Sequence, residues 1–219
     1  MIRCPALYVI TDDKPSRSAA DLVAIVCDAI TGGATLIQFR ERSLSPNELP
    51  SFISPLSAVC RAAGIPLLLN GAICEKLREP VPADGIHLQA RLLDQINELT
   101  QRIITAPDKQ PLLGYSAHSV EELTEVLQRI PLNFATLSPI YATPSKEGIL
   151  PPTGLNILSK CHNALPDFPV LALGGIDKSR ATECIAAGAS GIAVMRAVMS
   201  APSPRQAARE LIESVQRHT

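Results

Sequence analysis

The chain reads as a (β/α)8 barrel, the α/β TIM-barrel fold in which eight parallel strands close inside a ring of helices. Three observations carry this expectation. Eight short apolar runs alternate with amphipathic stretches at spacings of roughly 20–35 residues, the rhythm of parallel βαβ units. Two late strands end in turns suited to an anion. PVLAL runs into Gly174-Gly175 and a helix, and GIAVM ends at Met195 ahead of another helix. The length, 219 residues, suits one domain, so residues 1–219 are read as a single barrel. A doubly wound open sheet is the alternative, but its glycine fingerprint GxGxxG is missing.

Taken in order, the first strand is ALYVIT (6–11), followed by the amphipathic SAADLVAIVCDAI. TLIQFR (35–40) is the second strand, and PNELPSFISPLSAVCRAAG follows it as a helix closed by Gly64. PLLLN (66–70) is the third. After it GAICEKLREPVPAD, with two prolines, has room for only a short helix. GIHLQ (85–89) and PLLGYSA (111–117) are the fourth and fifth. Ser119 and Glu122 then stand at capping-box spacing ahead of a helix over SVEELTEVLQRI. NFATLSP (133–139) is the sixth, and the loop over 141–154, rich in Pro, Thr, Ser and Gly, is long enough to be a functional lid. PVLALG (169–174), the helix SRATECIAAG closed by Gly188, GIAVM (191–195) and the helix SPRQAARELIESVQRH complete the count.

Composition narrows the function. Hydrophobic residues make up 46%, enough for a sizeable core, and net charge is −1 with no basic stripe. Aromatics are 3% with no Trp, so neither a stacking platform nor a phosphate-backbone partner is expected, and nucleic acid is excluded. No apolar run approaches a membrane span, and no signal-peptide pattern precedes the first strand, so a cytoplasmic protein without a membrane partner is expected. Six scattered cysteines, without a CxxC pair, read as buried thiols. Cys161-His162 lacks the spacing of a zinc motif. Association into a homo-oligomer is left open.

In such a barrel the site lies at the C-terminal strand ends. Gln38 and Arg40, two apart, share one strand face, and Arg42 follows in the loop. A desolvated guanidinium there suits a phosphate, although pairing with Glu41 would account for it structurally. Asn70 ends the third strand. Ser116 and His118 end the fifth, and His118 is the natural general base near neutral pH, unless it merely caps the next helix. His87, inside a strand, reads as a satisfied core residue. Thr143, Ser145 and Lys146 form a clamp for a phosphate or diphosphate, or else a solvated loop. Gly174 and Gly175 bring backbone amides to an anion, or only make a tight turn. Carboxylates at the strand ends are limited to Asp12, Asp13 and Glu41, and all six lysines lie outside the predicted strands, which leaves no Schiff-base lysine.

The ordered motifs YVITD, GGATLIQFRER, LLLNG, ADGIHL, GYSAHSVEEL, SPIYATPSK, VLALGGI and GASGIAVM resemble the thiamin phosphate synthase/TenI family across nearly the whole chain. The resemblance implies a (β/α)8 barrel and a small phosphorylated thiazole ligand, held by backbone at Gly174, Gly175, Val194 and Met195. In the synthase branch a pyrimidine diphosphate ionises and the thiazole nitrogen attacks the carbocation. Gln38, Arg40, Arg42, Asn70, Thr143, Ser145 and Lys146 resemble the diphosphate contacts of that branch. The synthases bind Mg²⁺ through two aspartates, and those positions are Gly71 and Leu92 here. The resemblance then implies the TenI-like branch, a metal-free thiazole phosphate tautomerase with His118 as acid/base and no cofactor. The alternatives are a synthase, with Mg²⁺ on ligands such as Asp12, Asp13 or Glu41, and a catalytically silent thiazole phosphate-binding or regulatory barrel.

Overall fold

Strand pairing closes the sheet on itself. In the computed structural model, which describes residues 2–14, 16–106, 109–143 and 151–216, eight strands form one parallel barrel. They are β1 (Ala6–Ile10), β2 (Leu36–Phe39), β3 (Leu67–Asn70), β4 (Gly85–Leu88), β5 (Leu112–Ala117), β6 (Phe134–Leu137), β7 (Val170–Leu173) and β8 (Gly191–Val194). Each pairs with its neighbour in sequence, and β8 returns to β1 with Tyr8 opposite Ala193. All eight expected strands are present, mostly a residue shorter at either end. An accessory pair, Val81–Pro82 with Ile103–Ile104, was not expected from the sequence. Two residues per strand are too few for alternation to register.

Helices lie between the strands: α1 (Ala19–Thr31), α2 (Leu49–Ala62), α3 (Gly71–Cys74), α4 (Ile96–Thr100), α5 (Val120–Arg129), α6 (Asn156–Ala164), α7 (Lys178–Ala186), α8 (Arg196–Met199) and α9 (Pro204–Gln216). A 3-10 turn over Ala90–Gln95 leads into α4. Their starts follow from capping chemistry. Ser18 and Asp21 make a reciprocal capping box at α1, and Asp177 accepts from the amides of Ser179 and Arg180 at α7. The box expected at α5 is half made. Ser119 accepts from the Glu122 amide at 3.0 Å, but the Glu122 carboxylate turns to the Tyr115 hydroxyl and the His118 amide instead.

Period-two alternation divides the strand side chains between two apolar layers. Leu7, Val9, Ile37, Phe39, Leu67, Leu69, Ile86 and Leu88 point outward into the layer beneath the helices. Ala6, Tyr8, Ile10, Leu36, Leu68, Phe134, Leu171 and Ala193 fill the barrel interior, where Tyr8 and Phe134 meet edge-to-face at 5.4 Å. The interior is therefore a packed core, and a ligand at the C-terminal strand ends finds room at the rim and not inside the barrel.

Candidate active site

Two adjoining cavities open at the C-terminal strand ends. The first, of about 310 Å³, takes Gln38 and Arg40 from the end of β2, Arg42 beyond it, Asn70 from β3, Ser116 from β5, and Ser138, Thr143, Gly174 and Met195 from the last three strand ends and their loops. The second, of about 390 Å³, is lined by Gly175, Ile176, Val194, Arg196 and Ala197. Thr143, Leu173, Gly174 and Met195 line both. The structure thus gathers ten of the thirteen residues expected from sequence. Ser145 and Lys146 lie outside the described residues, and His118 lines neither cavity.

His118 sits one residue past the end of β5, and its ring turns toward the end of β6. Its Nδ1–H donates to the Ser138 carbonyl at 2.7 Å and its amide to the Glu122 carboxylate at 2.8 Å. It ties the end of β5 to the end of β6. His87, read as core, is buried between the Tyr8 hydroxyl (3.3 Å) and the Thr136 hydroxyl (3.4 Å), and burial pushes its imidazole down to about 3. At neutral pH it is uncharged and closes a chain of bonds. Gln38 Nε2 donates to the Tyr8 hydroxyl at 2.7 Å, and Asn70 Nδ2 reaches Gln38 Oε1 at 3.4 Å. This chain fixes which way both rim amides face.

Arg40 has no acidic partner among the described residues within 4.0 Å, so its pairing with Glu41 does not occur. Burial first, and then the neighbouring Arg42, pull its guanidinium below its ordinary value. Arg91, which sequence reasoning missed, adds a third guanidinium to the first cavity and is clamped by both oxygens of Glu75. Ser138 and Gln89 were missed as well. Both line the cavity, and Ser138 Oγ and Gln89 Oε1 are buried without a hydrogen-bond partner. Ser138 lay in view within SPIYATPSK, but nothing in the sequence says its hydroxyl is unpaired.

Gly174 and Gly175 have φ of +106° and +65°, a region L side chains avoid. A Cβ at 175 would stand 2.7 Å from the Ala142 carbonyl, and one at 174 would stand 2.9 Å from Pro139 Cα. These glycines therefore admit the β6 loop. The amides of Gly175 and Ile176 donate to no described protein atom, leaving them for a ligand at the wall of the second cavity.

The metal implied by the resemblance does not fit. Gly71 and Leu92, where it would have its aspartates, occupy each other's space. A Cβ at 71 would overlap Leu92 Cδ1 and lie 3.2 Å from Gln89 Oε1. Leu92 is fully buried, so hydrocarbon fills the place of a carboxylate and an ion. The other carboxylates stand away from both cavities. Asp12 pairs with Arg17 at 2.6 Å, Asp13 accepts from the Ser43 amide at 2.9 Å, and buried Glu41 lies 4.0 Å from Arg17 with its Oε1 otherwise unpaired. None of the three lines either cavity.

The sequence profile of the thiamine monophosphate synthase family matches residues 7–198. A thiamine-phosphate synthase of Geobacillus kaustophilus is 32% identical over 216 residues, which are 97% of this chain and 92% of that one. A thiamine-phosphate synthase of Chloroflexus aurantiacus is 35% identical over 205 residues, 94% and 90% of the two chains. A solved thiamine phosphate pyrophosphorylase from Pyrococcus furiosus superposes with a TM-score of 0.77 at 28% identity, covering 97% of this chain and 96% of that one. These findings overturn the isomerase expectation. Relatives that match nearly end to end are named as synthases, which are transferases, and the tautomerase role expected of His118 falls with that reading.

Proposed function

Because this chain belongs to the thiamine monophosphate synthase family, we propose that it is a transferase joining a pyrimidine diphosphate to a thiazole phosphate. The observation that carries the reading is the pair of adjoining cavities with different linings. One presents guanidinium groups, and the other presents unpaired backbone amides. The first suits a diphosphate and the second a monophosphate ester. Their shared wall sets the two substrates side by side, which converts a bimolecular encounter into a positioned one.

In the proposed step the carbon–oxygen bond to the diphosphate breaks and both electrons leave with the diphosphate. The lone pair of the thiazole nitrogen then forms a carbon–nitrogen bond to the carbocation. The products are thiamin phosphate and pyrophosphate, and no proton moves. Charge develops on the leaving oxygens, where half-buried Arg40 and exposed Arg42 supply donors. A step without proton transfer asks for no general base, which agrees with a buried His87 held neutral. Gly174 and Gly175 hold the thiazole phosphate through backbone, and Gln38, oriented by Tyr8, faces the pyrimidine diphosphate.

Incubating the protein with both substrates, and following thiamin phosphate and pyrophosphate by mass spectrometry, tests this reading. Both products are expected in equal amounts, and Arg40→Ala should lower turnover by about 10²–10³-fold. Failure to form product, from folded protein and across divalent ions and EDTA, overturns it.

A further inference from the structure

We infer that this barrel takes its diphosphate as the free anion, gripped by Arg40, Arg42 and Arg91, so that a divalent ion competes with the site instead of completing it. The inference rests on the transferase reading for the identity of the ligand, but its physical basis lies in the residues of the cavity.

The cavity is lined by three arginines and by no Asp or Glu among the described residues. A hard cation such as Mg²⁺ needs several oxygen donors, usually including a carboxylate, and a wall of guanidinium charge repels it. No group of three His, Cys, Asp or Glu side chains among the described residues could hold a metal. The contact between Gly71 and Leu92 makes this more than the loss of two acids. Each residue is what the other permits, since only glycine leaves room for the leucine, and the leucine seals the space. Restoring one carboxylate alone would bury it against hydrocarbon.

Arg91 stands immediately before Leu92 in the chain, so the segment that buries the leucine also brings a cation to the rim. Its fork is anchored by Glu75, which fixes the guanidinium plane and leaves further N–H donors for a ligand. Arg40 and Arg42 are like charges near one another, offset in part by Asp13 and Glu41 but with no carboxylate within 4.0 Å among the described residues. A polyanion relieves that repulsion. Ser138, only 2% exposed, also borders the cavity with its hydroxyl unpaired. Binding Mg²⁺ removes two units of negative charge from a diphosphate, and with them much of its attraction for three guanidinium groups.

Isothermal titration of the full chain with inorganic pyrophosphate, in EDTA and in excess Mg²⁺, tests the inference alongside product formation from the two organic substrates. Binding in EDTA is expected, weakened several-fold by Mg²⁺. Arg91→Gln and Arg42→Gln, at exposed positions that should fold, are each expected to weaken the EDTA affinity about 10-fold or more. A gain of 10-fold or more with Mg²⁺, or no binding in EDTA, overturns the inference, as does an unchanged affinity in both variants. Pyrophosphate binding in EDTA with no product overturns the transferase reading and leaves the arginine grip standing. Product formation that requires Mg²⁺ does the reverse.

Discussion

Ser138 shows what one buried hydroxyl can contribute. Its Oγ has no partner in the free protein, so removing it should cost little stability. Ser138→Ala is expected to shift the melting temperature by no more than about 2 °C, yet to weaken pyrophosphate binding by about 10-fold or more, the worth of one hydrogen bond to a charged group. Equal losses of stability and affinity would show that the hydroxyl is structural. His87 makes the opposite case. Its folded imidazole titrates near 3, while an unfolded one titrates near its ordinary value of about 6.5. Below about 6.5 the unfolded chain takes up a proton that the folded chain refuses, so stability falls as pH drops through that window. Urea unfolding between pH 7 and 4 should show that decline in the wild type and a flatter one in His87→Gln. Parallel profiles would remove His87 as its source. Sequence exposed Gln38, Arg40 and Asn70 because strand alternation aims them inward. It did not expose Arg91, Gln89 or Ser138, whose roles depend on segments distant in sequence meeting at the rim. His118 stood at the correct end of the barrel, but its Nδ1 is bonded to the Ser138 carbonyl and it lines neither cavity.

Elements were legible wherever local chemistry was sufficient. The barrel strands are short apolar runs bounded by Gly, Pro or Asn, and the fold closes them in sequence order. Gly64 and Gly188, expected as helix terminators, have φ of +67° and +96°. The capping box at α5 was only half legible, because the competing donors of Glu122, the Tyr115 hydroxyl and the His118 amide, become visible only when β5 is placed beside the helix. The cap at α7 permits a cleaner test. Asp177 accepts from two first-turn amides, so Asp177→Ala should destabilise the fold by about 1 kcal/mol. That corresponds to about 2–4 °C in a chain of this size, measurable by calorimetry. Asp177→Asn, which keeps an acceptor, should recover most of it. If Asn and Ala behave alike, the cap does not contribute through its hydrogen bonds.

At the scale of the molecule, an interior filled by Tyr8, Phe134, Leu36, Leu68 and Leu171 leaves one end of the barrel for chemistry. Ligands that bind there should stabilise the whole cooperative unit. Thiazole phosphate and pyrophosphate together, each at about 100 times its dissociation constant, should each add about 3 kcal/mol if they occupy separate cavities. Thermal shift with either ligand and with both measures this, and a pair that stabilises no more than one alone would mean a single shared site. The two cavities are nonetheless not independent compartments, since Thr143, Leu173, Gly174 and Met195 face into both. A boundary of residues shared by both chambers has a consequence for how such a protein can change. A substitution in it cannot retune one substrate's fit without disturbing the other's, so mutations there should show strong epistasis. Variants selected for a bulkier thiazole would be expected to carry second changes facing the pyrimidine side, whereas substitutions at Arg42 or Val194, each facing a single chamber, would accumulate singly.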